Sequence, residues 1–205
     1  MQRALSATSA LGLLLLSGCA AVGSAPDPCS YPAGASSAFP GSSLEDWVTY
    51  GDHAVVLTGI DKMEKDGREV VRLRHERTLW SRDQAPAAPP ATTFAEPKRS
   101  YDSAATEPGH QYLLVGTWWD WDSQHVEPPD WVHLQLLAFD DGIVGEGSDG
   151  CPRDSSEVAS GRSAVWGRSE AEVADLFERT PPDPASVPFQ GLEPDERWQR
   201  VNDAR

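Results

Sequence analysis

Short stretches in which apolar and polar residues alternate along the chain predict β-strands with one buried face. Residues 53–60 form an apolar, β-branched segment, and residues 68–80 alternate with Val71 and Leu73 on the apolar side. Asp66-Gly67, between the two segments, is a turn signal. The pattern therefore predicts an antiparallel hairpin of two strands.

Two further apolar segments, residues 111–119 and 131–139, predict a third and a fourth strand, and an Asp-Asp-Gly turn follows the fourth. Residues 81–110 cannot hold a central strand, because proline lacks the N–H that a strand ladder requires. The prolines of this stretch are Pro86, Pro89, Pro90, Pro97 and Pro108. Several short strands with turns between them predict a mainly β (α+β) fold, a small antiparallel barrel or sandwich.

Near the C-terminus the pattern changes to a helical spacing. Residues 169–172 form a capping box, and apolar residues follow from Val173 at i, i+3 and i+4. We expect a helix over residues 170–179, ended by the pair of prolines that follows it. Residues 193–201 predict a second short helix, so the fold class is a β-domain with a C-terminal helical extension.

The N-terminus begins with Arg3 and continues with an apolar run that ends in Leu16-Ser17-Gly18-Cys19. The uncharged stretch is about 15 residues long, shorter than the roughly 20 that a membrane-spanning helix needs. A charged start, a short apolar run and small residues at its end are typical of an export signal.

Leu16-Ser17-Gly18-Cys19 resembles the lipobox of bacterial lipoproteins at all four positions. The resemblance implies transfer of diacylglycerol to the Cys19 thiol, cleavage before Cys19 and N-acylation of the new N-terminus. The protein would then be held by its acyl chains on the outer side of the cytoplasmic membrane, and Ala20 also allows the outer membrane in a cell with two membranes. The alternatives are an ordinary secretory leader with an incidental cysteine, and a cytosolic chain with an apolar N-terminus.

The charge of the chain narrows the range of partners. The formal net charge is −15, and removal of residues 1–18 takes away Arg3 but no acid. So negative a protein is repelled by phosphate backbones, which argues against nucleic-acid binding. The membrane, reached through the acyl chains on Cys19, and an unknown envelope protein or glycan remain as expected partners.

Two cysteines, Cys29 and Cys151, remain after lipidation of Cys19. Outside the cytosol, an even number of remaining cysteines favours a disulfide between them. The alternative is a pair of buried free thiols. The bridge would leave a short tether between Cys19 and Cys29. The predicted organisation is a signal peptide (1–18), a disordered Ala/Gly/Ser/Pro-rich tether (19–45), a β-domain (46–152) and a helical extension (153–205).

The order of the predicted strands across residues 53–147 resembles exported OB-like barrels, including the netrin-like domains to which tissue inhibitors of metalloproteases belong. The resemblance implies a small barrel stapled near its ends. Those inhibitors place a free N-terminal cysteine amine on the zinc of their target. Here Cys19 would be acylated and Cys29 is internal, so the resemblance does not extend to protease inhibition.

The segment from Trp118 to His133 is the main candidate for a functional site. It gathers four of the eight tryptophans together with carboxylates and two histidines. It lacks the glycine and the final glutamate of a calcium loop, and it has no short pair of histidines for zinc. A ligand or partner surface and a packed barrel mouth with an acidic loop remain the main alternatives, and a metal site is the least favoured. The residues in question are Trp118, Trp119, Asp120, Trp121, Asp122, His125, Trp131 and His133.

The other polar residues are explained more simply. His75 is predicted to be a core histidine, and His53 and His110 to be exposed at strand starts. A basic stripe on the second strand is expected to pair with local acids. Its members are Arg68, Arg72 and Arg74.

No catalytic motif and no cofactor signature is present; Gly145 to Gly150 has dinucleotide spacing but no helix pattern after it. We therefore expect a non-catalytic envelope binding or interaction module. The alternatives are a lipid-anchored hydrolase with its site between Asp120 and His133, and a purely structural envelope protein.

Overall fold

The computed structural model describes residues 43–90, 92–95, 97, 104–119, 130–145 and 161–204, and of Trp119 the backbone alone. The predictions for Cys19, Cys29 and Cys151 lie outside the described residues, so the lipid anchor and the disulfide stay predictions. The same holds for four residues of the candidate segment: Asp120, Trp121, Asp122 and His125.

The described chain forms five strands and four helices. The strands are β1 (His53–Lys65), β2 (Arg68–Ser81), β3 (Thr92–Ala95), β4 (Gln111–Trp119) and β5 (Asp130–Ala138). The helices are α1 (Leu44–Tyr50), α2 (Gly161–Val165), α3 (Glu170–Arg179) and α4 (Pro194–Ala204), and 3₁₀ turns span Asp140–Gly142 and Pro184–Phe189.

The strands make one antiparallel sheet in the order β3-β2-β1-β4-β5. The mainly β, antiparallel fold is therefore confirmed. The β1–β2 hairpin turns at Asp66 and Gly67, both of which have positive φ angles (53° and 75°). This left-handed geometry suits an Asp-Gly pair, because glycine has no Cβ to clash with the backbone.

The sheet is open in the part of the chain that the structure describes, so the predicted barrel is only partly supported. Side chains of the two edge strands, β3 and β5, nevertheless reach each other through Thr93. The sheet is therefore strongly curled, but no ladder joins its edges. β3 has only four residues and lies in the proline-rich stretch, where a long edge ladder cannot form.

Both faces of the curled sheet are buried. The helices cover the outer face, whose core is built around Trp47, Trp80, Phe139 and Phe177. The inner face holds a second apolar cluster. Its fully buried members include Val55, Leu57, Val71, Leu73 and Leu114.

Helix α3 confirms the predicted 170–179 helix and its capping box. The Glu172 carboxylate accepts hydrogen bonds from the backbone N–H and the hydroxyl of Ser169, at 2.9 and 2.6 Å. Helix α4 confirms the second C-terminal helix. Helix α1 was not predicted: it begins at Leu44, within the segment assigned to the tether, and buries Trp47 completely.

Candidate functional site

The two tryptophans of the candidate segment that have described side chains face each other across β4 and β5. Trp118 is the register partner of Trp131, and their rings meet edge to face with centroids 5.8 Å apart. Trp131 is 5% exposed, and Trp118 is half-buried against the inner apolar cluster. As the packing alternative predicted, these tryptophans fill one end of the curled sheet.

A chain of polar side chains lies beside the tryptophans, where β3 approaches β5. The Thr93 hydroxyl donates to Asp130 Oδ1 at 3.0 Å and lies 3.1 Å from His133 Nε2. Because a hydroxyl has one proton and the carboxylate takes it, His133 Nε2 carries its own proton and donates to Thr93. We name Trp118, Trp131, Thr93, Asp130 and His133 the strand-end cluster.

Trp131 also contacts His53. The imidazole ring is nearly perpendicular to the indole, and the two ring centroids are 5.7 Å apart. The Trp131 indole N–H is buried and has no hydrogen-bond partner within the described ranges. An unsatisfied buried donor lowers the stability of a fold by about 1–3 kcal/mol. The Trp131 indole N–H is such a donor at this end of the sheet.

His53 is 1% exposed, so its predicted exposure is wrong. It opens β1, but β1 is the central strand of the sheet and its first residue is covered on both sides by β2 and β4. Its Nδ1 lies 2.9 Å from the Ser81 hydroxyl. Burial lowers the pKa of His53 below its ordinary value of 6.5, and the nearby Asp52 carboxylate opposes this shift.

Two members of the basic stripe on β2, Arg72 and Arg74, pair with local acids as predicted. Arg72 binds Asp61 at 2.6 Å, and Arg74 binds Glu76 at 2.8 Å, all with exposed or half-exposed side chains. His75, which was predicted to lie in the core, is only half-buried, with its Nε2 3.2 Å from the Thr78 hydroxyl, and burial lowers its pKa. These groups are accounted for by their own neighbours.

His110 is exposed, as predicted, and makes a close pair with Asp140. Its Nδ1 lies 2.5 Å from Asp140 Oδ2, while Asp140 Oδ1 accepts the Gln111 N–H at 2.7 Å. The pair lines a shallow groove that also contains Thr58 and Gly109. The carboxylate orients the imidazole, but the groove is open to water.

The buried centre of the molecule holds an ion cluster that sequence analysis missed. Asp52 Oδ1 accepts from Arg82 Nε and Nη2 at 2.9 and 2.6 Å, and from Arg197 Nη2 at 2.7 Å. Asp52 Oδ2 accepts from the Thr117 hydroxyl. We name these four residues the Asp52 cluster. No sequence signal pointed to it, because its members are far apart in the chain.

Among the described residues, no group of three or more His, Cys, Asp or Glu side chains is arranged to hold a metal ion. The helices within the described ranges are all too short or too polar to cross a membrane. Comparisons of the chain with protein-family models, with curated proteins and with solved structures found no match.

Proposed function

We propose that this protein is a bacterial envelope lipoprotein, held in the membrane through Cys19, whose domain is a non-catalytic binding module. The anchor rests on the match of Leu16-Ser17-Gly18-Cys19 to the lipobox. Two or more acyl chains hold a protein stably in a bilayer, whereas one chain holds it only marginally. The domain would therefore meet partners that lie in the envelope.

The observation that carries the binding proposal is the strand-end cluster. Trp118 is only half-buried, and its edge-to-face contact with Trp131 holds its ring in place. Half-buried Asp130 and His133 place a carboxylate and an imidazole beside the aromatic rings. Large, rigid aromatic side chains next to polar groups dominate the energetics of binding surfaces.

An envelope glycan is the ligand that this chemistry fits best. The apolar faces of a sugar ring can stack on the accessible part of Trp118, and sugar hydroxyls can hydrogen-bond to Asp130. The acidic charge of the chain, −15, also disfavours anionic polymers as ligands.

The test uses the detergent-extracted full chain and soluble glycan fragments released from cell walls. Titration calorimetry should detect binding to the wild type, and Trp118→Ala should weaken it about tenfold or more. Trp166→Phe is the matched control, because Trp166 is half-buried but packs against Gly145 after β5. The control should bind as the wild type does.

Two outcomes would contradict the proposal. Glycan binding that survives Trp118→Ala would place the ligand elsewhere on the protein. No binding by the wild type, together with a lower melting temperature of Trp118→Ala, would leave the strand-end cluster with a packing role only.

A further inference from the structure

The C-terminal part of the chain, residues 183–204, lies over the corner between α1 and β1. The Asp183 N–H donates to the Thr49 hydroxyl at 2.8 Å, and Gln190 Nε2 donates to the Thr49 carbonyl at 3.2 Å. The Tyr50 hydroxyl donates to Asn202 Oδ1 at 2.9 Å. We name residues 183–204 the C-terminal strap, because it crosses this corner through a row of polar contacts.

The deepest contact of the C-terminal strap is Arg197, whose side chain is fully buried. Its Nη2 donates to Asp52 Oδ1 at 2.7 Å and to the Tyr50 carbonyl at 3.1 Å. Arg82 binds the same Asp52 carboxylate, so two guanidinium groups share one negative charge. Burial lowers the pKa of Arg197, which means that the cation is held in surroundings that disfavour its charge.

Release of the C-terminal strap would leave the Asp52 carboxylate paired. Arg82 would lose the hydrogen bond from its Nη1 to the Gln190 carbonyl but would still donate two hydrogen bonds to Asp52. The Thr117 hydroxyl would still donate to the other oxygen of Asp52. The usual large penalty for breaking a buried ion pair comes from the charge that is left alone in the interior. Here no charge is left alone, because Arg197 moves into water.

The C-terminal strap also buries polar atoms that its own contacts do not satisfy. Arg197 Nε and Gln190 Oε1 are buried and have no hydrogen-bond partner in the part of the chain that the structure describes. Both atoms would gain water on release, and this gain lowers the free energy of the open state.

The apolar contacts that oppose release are few. Within residues 183–204, all of which are described, Val201 is the one apolar side chain that is fully buried. Phe189 and Trp198 pack against the core only in part, and the Trp198 ring lies 4.7 Å from the Tyr50 ring, centroid to centroid. The sheet and α1, in contrast, bury most of the apolar core, including Trp47 and Leu113.

We propose that the C-terminal strap is a latch that opens as one unit while the sheet and helices α1 and α3 stay folded. Arg197 holds it closed through its hydrogen bonds to Asp52 and to the Tyr50 carbonyl. Opening uncovers Thr49, Tyr50 and Asp52, a corner that is buried in the closed state. Local opening of this kind requires a segment with few apolar contacts and a low cost of exposure.

The test is native-state hydrogen exchange on the full chain, followed by mass spectrometry over a series of low urea concentrations. Backbone amides between Arg197 and Val201 should exchange through an opening with a smaller urea dependence than amides of β1 and β4. Arg197→Met destabilises the closed state alone, so it should accelerate exchange of the C-terminal strap at least tenfold and exchange of the β1 and β4 amides by about the same factor, while the strap keeps its smaller urea dependence.

The matched control is Arg200→Met on the same helix, whose side chain is 58% exposed and pairs with Glu196. It should leave the exchange of the C-terminal strap within twofold of the wild type. If Arg197→Met does not fold, Asn202→Ala removes the contact with Tyr50 and should accelerate the same amides to a smaller degree. The proposal would be overturned if, in the wild type, amides of the C-terminal strap and amides of β1 and β4 exchanged with the same free energy of opening and the same urea dependence.

Discussion

Removing the negative charge of Asp52 is the most informative single perturbation of this fold. The Asp52 side chain is 2% exposed and is the shared partner of Arg82 and Arg197, which are 8% and 0% exposed. Asp52→Asn keeps the size of the side chain but removes the counter-charge of Arg82 and, in the closed state, that of the buried Arg197. Breaking a buried pair in this way costs about 3–5 kcal/mol.

That cost predicts a large fall in the melting temperature. For a domain of this size, 1 kcal/mol corresponds to about 2–4 °C, so Asp52→Asn should lower the melting temperature by about 6–20 °C. Urea unfolding followed by circular dichroism should give the same loss as a shift of the midpoint with an unchanged slope.

Two companion variants make the reasoning refutable. Asp175→Asn breaks the exposed pair with Arg179, whose side chains are 62% and 66% exposed, and should change stability little. The triple variant Asp52→Leu, Arg82→Met, Arg197→Met removes all three charges and should be more stable than Asp52→Asn. The explanation fails if Asp52→Asn is no worse than Asp175→Asn, or if the triple variant is the least stable of the set.

The remaining predictions concern pH and the N-terminus. The folded-state pKa of His53 lies below its ordinary value of 6.5, so its contribution to stability is complete above pH 6.5 and is lost as the pH falls through the folded pKa. The melting temperature should therefore fall between pH 7.5 and pH 5, and it should fall less in His53→Gln than in the wild type. An equal fall in the two proteins would contradict this prediction. Intact mass spectrometry of the protein from native membranes should give residues 19–205 plus acyl groups. Cys29 and Cys151 should react with an alkylating reagent only after reduction, and free thiols from the start would rule out the disulfide.

Much of the fold follows from local rules that the sequence displays directly. The Asp66-Gly67 turn between two strand-like segments specifies the β1–β2 hairpin, and the two-residue period places Val71 and Leu73 together on one buried face. The capping box at Ser169 sets the start of α3, because it satisfies backbone groups within one helical turn. Interactions between residues three or four positions apart are visible in the sequence.

The candidate site was only partly predictable. The position of Trp118 and Trp131 at the ends of paired strands follows from strand lengths, and the structure places the two rings in contact. Thr93, which joins Asp130 to His133, was missed because β3 lies in a proline-rich stretch that suppresses the strand pattern.

What the sequence by itself determined is four of the five described strands, the antiparallel β1–β2 hairpin, helices α3 and α4 and the acidic charge of the chain, together with a predicted leader and anchor. Only the tertiary structure decided that the sheet curls without closing, that His53 is buried and that Asp52 joins Arg82 and Arg197. These features depend on which residues, distant in the sequence, the fold brings into one local environment. Burial and charge pairing are properties of that neighbourhood, and no local pattern in the chain encodes them.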